Sequence, residues 1–212
     1  MLVLNIAGGK FKHLPITDAE QTKLIPTFEL NVDTGHYTDM SPHIAEEIAG
    51  SWEQNGDRSS QLLYLNCDVF KFMERTVLKF DRVAIYRFLE HVSFTQVLYF
   101  IYLVSTITKE GALVDIIVPN YKVLAEMIQQ EEKIFTETSQ GNTYRNFENW
   151  NVQLTTELLN EPSCPHASIW TPYRAKLFWE IERRFKINDE DVNTNFEFDG
   201  RDIYMRFIAE RI

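Results

Sequence analysis

The chain has 212 residues, 44% hydrophobic and 25% charged, a balance that excludes a disordered or fibrous protein and suits a single α/β domain over residues 1–212. With 21 basic against 31 acidic residues the formal charge is −10, which repels nucleic acid unless the basic residues gather in one patch. None gathers: Lys10 with Lys12 is the nearest approach, and Arg183-Arg184 falls on a predicted helix.

Two cysteines, Cys67 and Cys164, make no disulfide framework, and no stretch reads as a signal peptide. The most apolar run, Val97–Val104, is far short of the roughly 20 residues that span a bilayer and reads as a buried helix. A cytoplasmic protein with no membrane attachment is expected.

In chain order, residues 1–7 form a short apolar run, the pattern of a central parallel strand buried on both faces. A second strand over 27–33 ends on Asp33, and a helix follows with Ser41 as cap and Pro42 at its first position. The third strand, 60–68, ends on Asp68; the fourth spans 82–86. A helix over 93–107, Gly111 and a fifth strand over 112–119 come next. Strands alternating with helices predict a parallel sheet covered on both faces. At the end, Thr194–Phe198 and Asp202–Ile212 flank Asp199-Gly200-Arg201, and an Asp-Gly pair between alternating runs signals an antiparallel hairpin. The expected fold is therefore a Rossmann-like α/β sandwich of seven strands, mostly parallel, with the last antiparallel. Residues 121–170 are too long for a plain connection and are expected to hold a helix over 121–134 and a long loop.

The turn Ala7-Gly8-Gly9 closes the first strand. A phosphate loop needs a glycine four residues before Gly-Lys-Ser/Thr, and here Gly9-Lys10 is followed by Phe11. A dinucleotide fingerprint needs a third glycine, yet none follows Gly9 until Gly35. What remains is a nucleoside ligand without a pyrophosphate, with an acid at the next strand's end gripping the ribose. Asp33 stands 24 residues after Gly9, near the spacing such an acid has in nucleotide folds. The competing reading of Asp33 is a turn former before Thr34-Gly35.

The segment "LNIAGGKFKHLP" followed by "NVD" resembles the opening of class I S-adenosylmethionine-dependent methyltransferases. The similarity runs on through "NCDVFKF", "FDRVAIYRFLEHVS", "ITKEGALVDIIVPNY" and "HASIWTPYRAKLFWEIERRF", in the family's order. It implies S-adenosyl-L-methionine as cofactor. The backbone of Ala7, Gly8 and Gly9 would pass under its methionine part, Asp33 would hold the ribose hydroxyls, and Asp68 with the Val69 amide would meet the adenine. Tyr86 and Arg87 would line the floor beside the reactive methyl. Two residues depart from the pattern. Ala7 replaces a glycine where bare backbone is wanted. Asn5 stands where relatives carry an acid for the cofactor's ammonium, and a neutral amide binds a cation less strongly than a carboxylate does.

His91 is the general-base candidate, since its ordinary pKa lies near neutrality. Glu90 beside it is expected on the polar face at the start of a helix. Asp68 also makes a natural cap for a helix beginning at Val69. Cys164 and His166 lack a second pair at metal spacing, so no metal is expected. Of the aromatics, Trp150, Trp170, Tyr173 and Trp179 are expected as core and loop anchors, with Tyr144 and Trp150 able to cover an acceptor. Pro119-Asn120-Tyr121 mimics a DNA amino-methyltransferase motif but follows the fifth strand, where that family has it after the fourth.

The expected function is methyl transfer from S-adenosyl-L-methionine to an unidentified small-molecule, glycan or protein acceptor. With strand one starting at Leu2, acceptor choice is expected to rest on 34–60, 86–94 and 121–170, on a partner subunit or on a second copy. The alternative is a non-catalytic member of the fold serving as a structural or binding subunit. A nicotinamide-dependent oxidoreductase is a third reading, weakened by the missing third glycine.

Overall fold

Apolar runs at strand spacing nucleate the sheet. β1 (Leu2–Ile6), β2 (Phe28–Asp33), β3 (Gln61–Asn66), β4 (Phe80–Tyr86) and β5 (Thr108–Pro119) pair in parallel, and β8 (Arg201–Arg211) joins β5 antiparallel. The sheet order is β3-β2-β1-β4-β5-β8, with a two-residue strand, Phe185–Lys186, beyond β8. This is a computed structural model, and it describes residues 1–6, 14, 26–33, 42–55, 60–129, 167–181, 183–198 and 200–212.

Among the described residues eight strands stand where seven were expected, for a local reason. The edge position beyond β8 is filled in two pieces, β6 (Phe185–Lys186) and β7 (Val192–Phe198), both antiparallel to β8. A 3-10 turn at Asp189–Asp191 parts them. Gly200, at φ 75°, makes the tight turn between β7 and β8 that the Asp-Gly pair signalled. β5 begins four residues earlier than expected, because Thr108 already pairs with Phe80 before a bulge that contains Gly111, also at φ 75°.

Two faces of the sheet differ sharply. Alternate residues Leu4, Ile6, Leu30, Val32, Val83, Ile85, Val114, Ile116 and Phe207 belong to one large apolar cluster. α2 (Val69–Arg75), α3 (Phe94–Ile107) and α5 (Pro172–Glu180) pack on that cluster, as does Trp52 of α1 (Pro42–Asn55), whose ring lies 5.5 Å from Phe28. α3 shows the expected period, burying Val97, Phe100, Ile101 and Val104 while Tyr99 and Tyr102 face outward. Thr171 caps α5, accepting from the Arg174 amide, with Pro172 at its first position.

The opposite face is covered in part by α4 (Tyr121–Gln129), whose Leu124 packs with Ala84, Tyr86, Ile117 and Tyr204. β1 is buried along its whole length, as expected of a central strand, but this second face of the sheet carries polar side chains. Asn5, Glu29, Asn31, Arg82 and Asp115 all alternate onto this face, and none is more than 3% exposed. Four of them are paired in the interior: Asn5 Nδ2 donates to Glu29 Oε1 at 2.8 Å, and Asp115 accepts from Arg82 as well as from Arg206 of β8. Arg183-Arg184 also needs correcting, since α5 stops at Glu180 and Arg183 sits beyond it in a bend at φ 54°. Of the insert, α4 is described over Tyr121–Gln129, while the remainder of the expected helix, 130–134, and the loop to 166 lie outside the described residues.

Candidate functional site

The strand order reverses between β1 and β4, and ligands of open α/β sheets bind at the carboxyl ends of strands beside such a reversal. Register makes those ends level. Ile6 pairs with Val32 and with Ile85, Val32 pairs with Leu65, and Asp33 pairs with Asn66. β1 therefore ends one row before Asp33 and Tyr86. Ala7, Gly8 and Gly9 lie outside the described residues, and of Asp33 only the backbone, the last residue of β2, is described.

Asp68 follows β3 by two residues and starts α2, accepting from the Lys71 amide at 2.9 Å as the expected helix cap. Its side chain also lines a cavity of about 390 Å³ between α2 and the first turn of α1, with Pro42, His43, Glu46, Cys67 and Lys71 among the other walls. Burial pushes the Cys67 thiol above its ordinary pKa, and the neighbouring Asp68 charge adds to this, so Cys67 is a neutral thiol rather than a thiolate nucleophile. Val69, the first residue of α2, is buried in the main core. Asn5, Tyr86, Arg87 and His91 do not line this cavity.

Tyr86 ends β4, but its side chain turns inward. It is 1% exposed, its ring packs on Phe198, and its hydroxyl donates to Asp115 Oδ2 at 2.8 Å while accepting from the Leu14 amide at 2.7 Å. Burial, reinforced by the Asp115 charge, holds this phenol well above the ordinary tyrosine pKa, against the opposing pull of Arg82 and the Leu14 amide. Arg87 comes next, at φ 55°, a left-handed conformation that costs a side-chain-bearing residue about 1–2 kcal/mol. Its amide donates to the Ile117 carbonyl at 2.8 Å and its guanidinium lies over the Tyr204 ring at 5.7 Å. Strain of this kind concentrates at functional sites.

Glu90 and His91 lie in a 3-10 turn, Leu89–His91, ahead of α3. Glu90 is 0% exposed, so it is not the polar face of a helix start. Its carbonyl accepts the amides of Ala167 and Ser168, and the Ser168 hydroxyl donates to the Leu89 carbonyl at 2.8 Å. His91 is half-buried at the same end of the sheet as Asp33 and Asp68.

Trp170 and Trp179 are fully buried as expected of core anchors, whereas Tyr173 is 76% exposed; Tyr144 and Trp150 lie outside the described residues. Asn120 is a tie between strands: its amide donates to the Ile203 carbonyl and its Nδ2 to the Thr194 carbonyl. Among the described residues no group of three or more His, Cys, Asp or Glu could hold a metal ion, and no helix is long and apolar enough to cross a membrane. Cys164 and His166 lie outside them.

What sequence reading missed is the set Arg82, Asp115 and Arg206. Its only signal was one polar residue inside each apolar run.

No protein-family model matches the chain, and no curated protein is similar to it in sequence. Solved structures are similar in fold. A SAM-dependent methyltransferase from Methanosarcina mazei superposes with a TM-score of 0.53 at 16% identity, over 100% of this chain and 92% of that one. The S-adenosylmethionine-dependent methyltransferase SibL gives 0.51 at 12% identity, over 99% of this chain and 50% of SibL. PKMT2 from Rickettsia typhi gives 0.51 at 11%, over 99% of this chain and 48% of that protein. The chain thus has the fold of S-adenosylmethionine-dependent methyltransferases, and spans about half the length of the latter two.

Proposed function

We propose that the protein is a methyltransferase that takes its methyl group from S-adenosyl-L-methionine. The observation that carries this reading is the reversal of strand order between β1 and β4, which gathers the end of β2 at Asp33, Asp68 after β3, and Tyr86-Arg87 at one end of the sheet. The antiparallel β8 between β5 and the edge strands separates this sheet from the 3-2-1-4-5-6 order of dinucleotide-binding folds, which counts against the oxidoreductase alternative.

In this reading the backbone of Ala7, Gly8 and Gly9 passes the methionine part, Asp33 holds the ribose, and Asp68 with the Val69 amide meets the adenine. Arg87 stands at the methyl end. Asn5 and Tyr86 contribute through packing and backbone, since their side chains are occupied inside the sheet. Bound, the cofactor supplies an electrophilic methyl on a sulfonium. His91 takes the proton from an oxygen or nitrogen acceptor, whether small molecule, glycan or protein, and positioning does most of the rest. A cytoplasmic location and a partner subunit or second copy completing the acceptor site belong to the same proposal.

Calorimetric titration with S-adenosyl-L-methionine and with its demethylated product tests this directly. Binding in the micromolar range, lost in Asp33→Ala with the circular dichroism spectrum unchanged, is the expected result. A flat trace for both ligands with folded protein would overturn it and favour the non-catalytic subunit.

A further inference from the structure

α5 is apolar on two opposite faces. Inward, Ala175 and Trp179 are buried and Phe178 stacks on Phe94 at 5.3 Å, so this face belongs to the core. Outward, Tyr173 is 76% exposed, Leu177 45% and Ile181, the C-cap, 57%, with Ile169 just ahead of the helix at 48%. Single exposed apolar residues are ordinary on a protein surface, as Val77 is here. Tyr173, Leu177 and Ile181 are not single. Spaced by four, they form one ridge on the side of the helix away from the core, and such a ridge fits the groove of another helix. A helix apolar all round belongs in an interior, yet only one side of α5 is in one.

The charges beside the ridge point to what covers it. Arg174 follows Tyr173 and Glu180 precedes Ile181, so the two stand equally far from Leu177 on opposite sides. A second α5 crossing antiparallel, Leu177 on Leu177, brings Tyr173 onto Ile181 and Arg174 onto Glu180, each contact made twice. The ridge is thus complementary to itself in both shape and charge, which is what a two-fold contact requires. Arg174 is already braced for this, its guanidinium 5.2 Å from the Phe94 ring centre and its Nη1 donating to the Ile169 carbonyl at 3.0 Å. Glu180 Oε1 accepts from the Ile187 amide at 3.2 Å. A guanidinium with five N–H donors and a carboxylate with several acceptor positions each accommodate one partner more.

We infer that the outer ridge of α5 pairs antiparallel with the same ridge of a second copy of this chain, with Leu177 on the two-fold axis and an Arg174–Glu180 ion pair at each rim. This pairing does not rest on the proposed activity. A standard interface takes about 800 Å² from each partner, more than the outer face of a nine-residue helix supplies, so the association is a weak one in the micromolar range.

Sedimentation velocity on the full chain across micromolar concentrations tests this. The expected result is an average mass that climbs from one chain toward two. Leu177→Glu, which sets two carboxylates face to face on the axis, should hold the protein at one chain. Tyr173→Ser, at the most exposed ridge position, should do the same and serves if Leu177→Glu does not fold by circular dichroism. Arg174→Glu and Glu180→Arg should each weaken self-association about tenfold, because two rim pairs turn from attractive to repulsive, and the two reversals combined should restore it. Three results would each overturn the pairing. One is a single-chain mass at every concentration, which leaves the ridge to a different partner. Another is a dimer that survives both ridge variants in folded protein. The last is a double reversal that fails to recover what each single reversal loses.

Discussion

Replacing Asp115 by asparagine keeps the shape of the side chain and removes a negative charge that two guanidinium groups contact. Arg82 is 1% exposed and the Arg206 side chain 18%, so neither is well placed to recover its interaction from water. At an effective dielectric of about 20, unit charges about 4 Å apart interact by about 4 kcal/mol, and removing one partner of a buried pair typically costs about 3–5 kcal/mol. For a domain of this length each kcal/mol moves the melting temperature by about 2–4 °C, so Asp115→Asn should melt about 6–20 °C below wild type. Urea unfolding followed by circular dichroism measures the same quantity, with an unchanged slope showing that the denatured state is not what moved. Adding Arg206→Met to Asp115→Asn should recover at least about 1 kcal/mol, because contacting charges couple by about 0.5–3 kcal/mol. A loss below about 1 kcal/mol in the single variant would refute the reasoning, showing that the pairing of Asp115 with the two guanidinium groups adds little to stability.

Two further outcomes are expected. Asp68→Ala should cost about 1 kcal/mol of stability through the lost cap of α2, whereas Asp68→Ser, a competent cap, should keep it; if adenine contact is real, both should weaken cofactor binding. Tyr86 makes stability fall at high pH. Its folded pKa lies well above the ordinary value, so above about pH 10 the unfolded chain releases the phenolic proton while the folded chain keeps it, and stability drops by up to about 1.4 kcal/mol per pH unit. Tyr86→Phe should flatten that alkaline limb in a pH series of urea midpoints, and an unaltered limb would contradict the assignment.

The fold was legible wherever a pattern was local. Apolar runs located the five parallel strands, Asp199-Gly200 located the hairpin, and Pro42 and Asp68 marked the starts of two helices. The polar face was not legible, because its meaning lies in register. Asp115 looks like a lone acid in an apolar run until β5 and β8 are paired, which brings Arg206, 91 residues away, onto it. Glu90 misled for a related reason: a local pattern shows a charged residue at a helix start but not the strap at Ala167–Ser168 that covers it. Around the candidate site, sequence reading marked Asp68 as a helix cap and located the strand ends. It could not show that the Tyr86 and Asn5 side chains are spent on Asp115 and Glu29 rather than offered to a ligand.

The broken margin of the sheet has its own consequence. Beyond β8 the exposed rim offers a two-residue strand, then three consecutive acids, then a strand whose register slips twice. A neighbouring molecule seeking to extend the sheet finds no long ladder of free amides and carbonyls, and meets negative charge where the ladder stops. That rim therefore discourages the growth of intermolecular β-structure at high concentration, without the need for a covering helix.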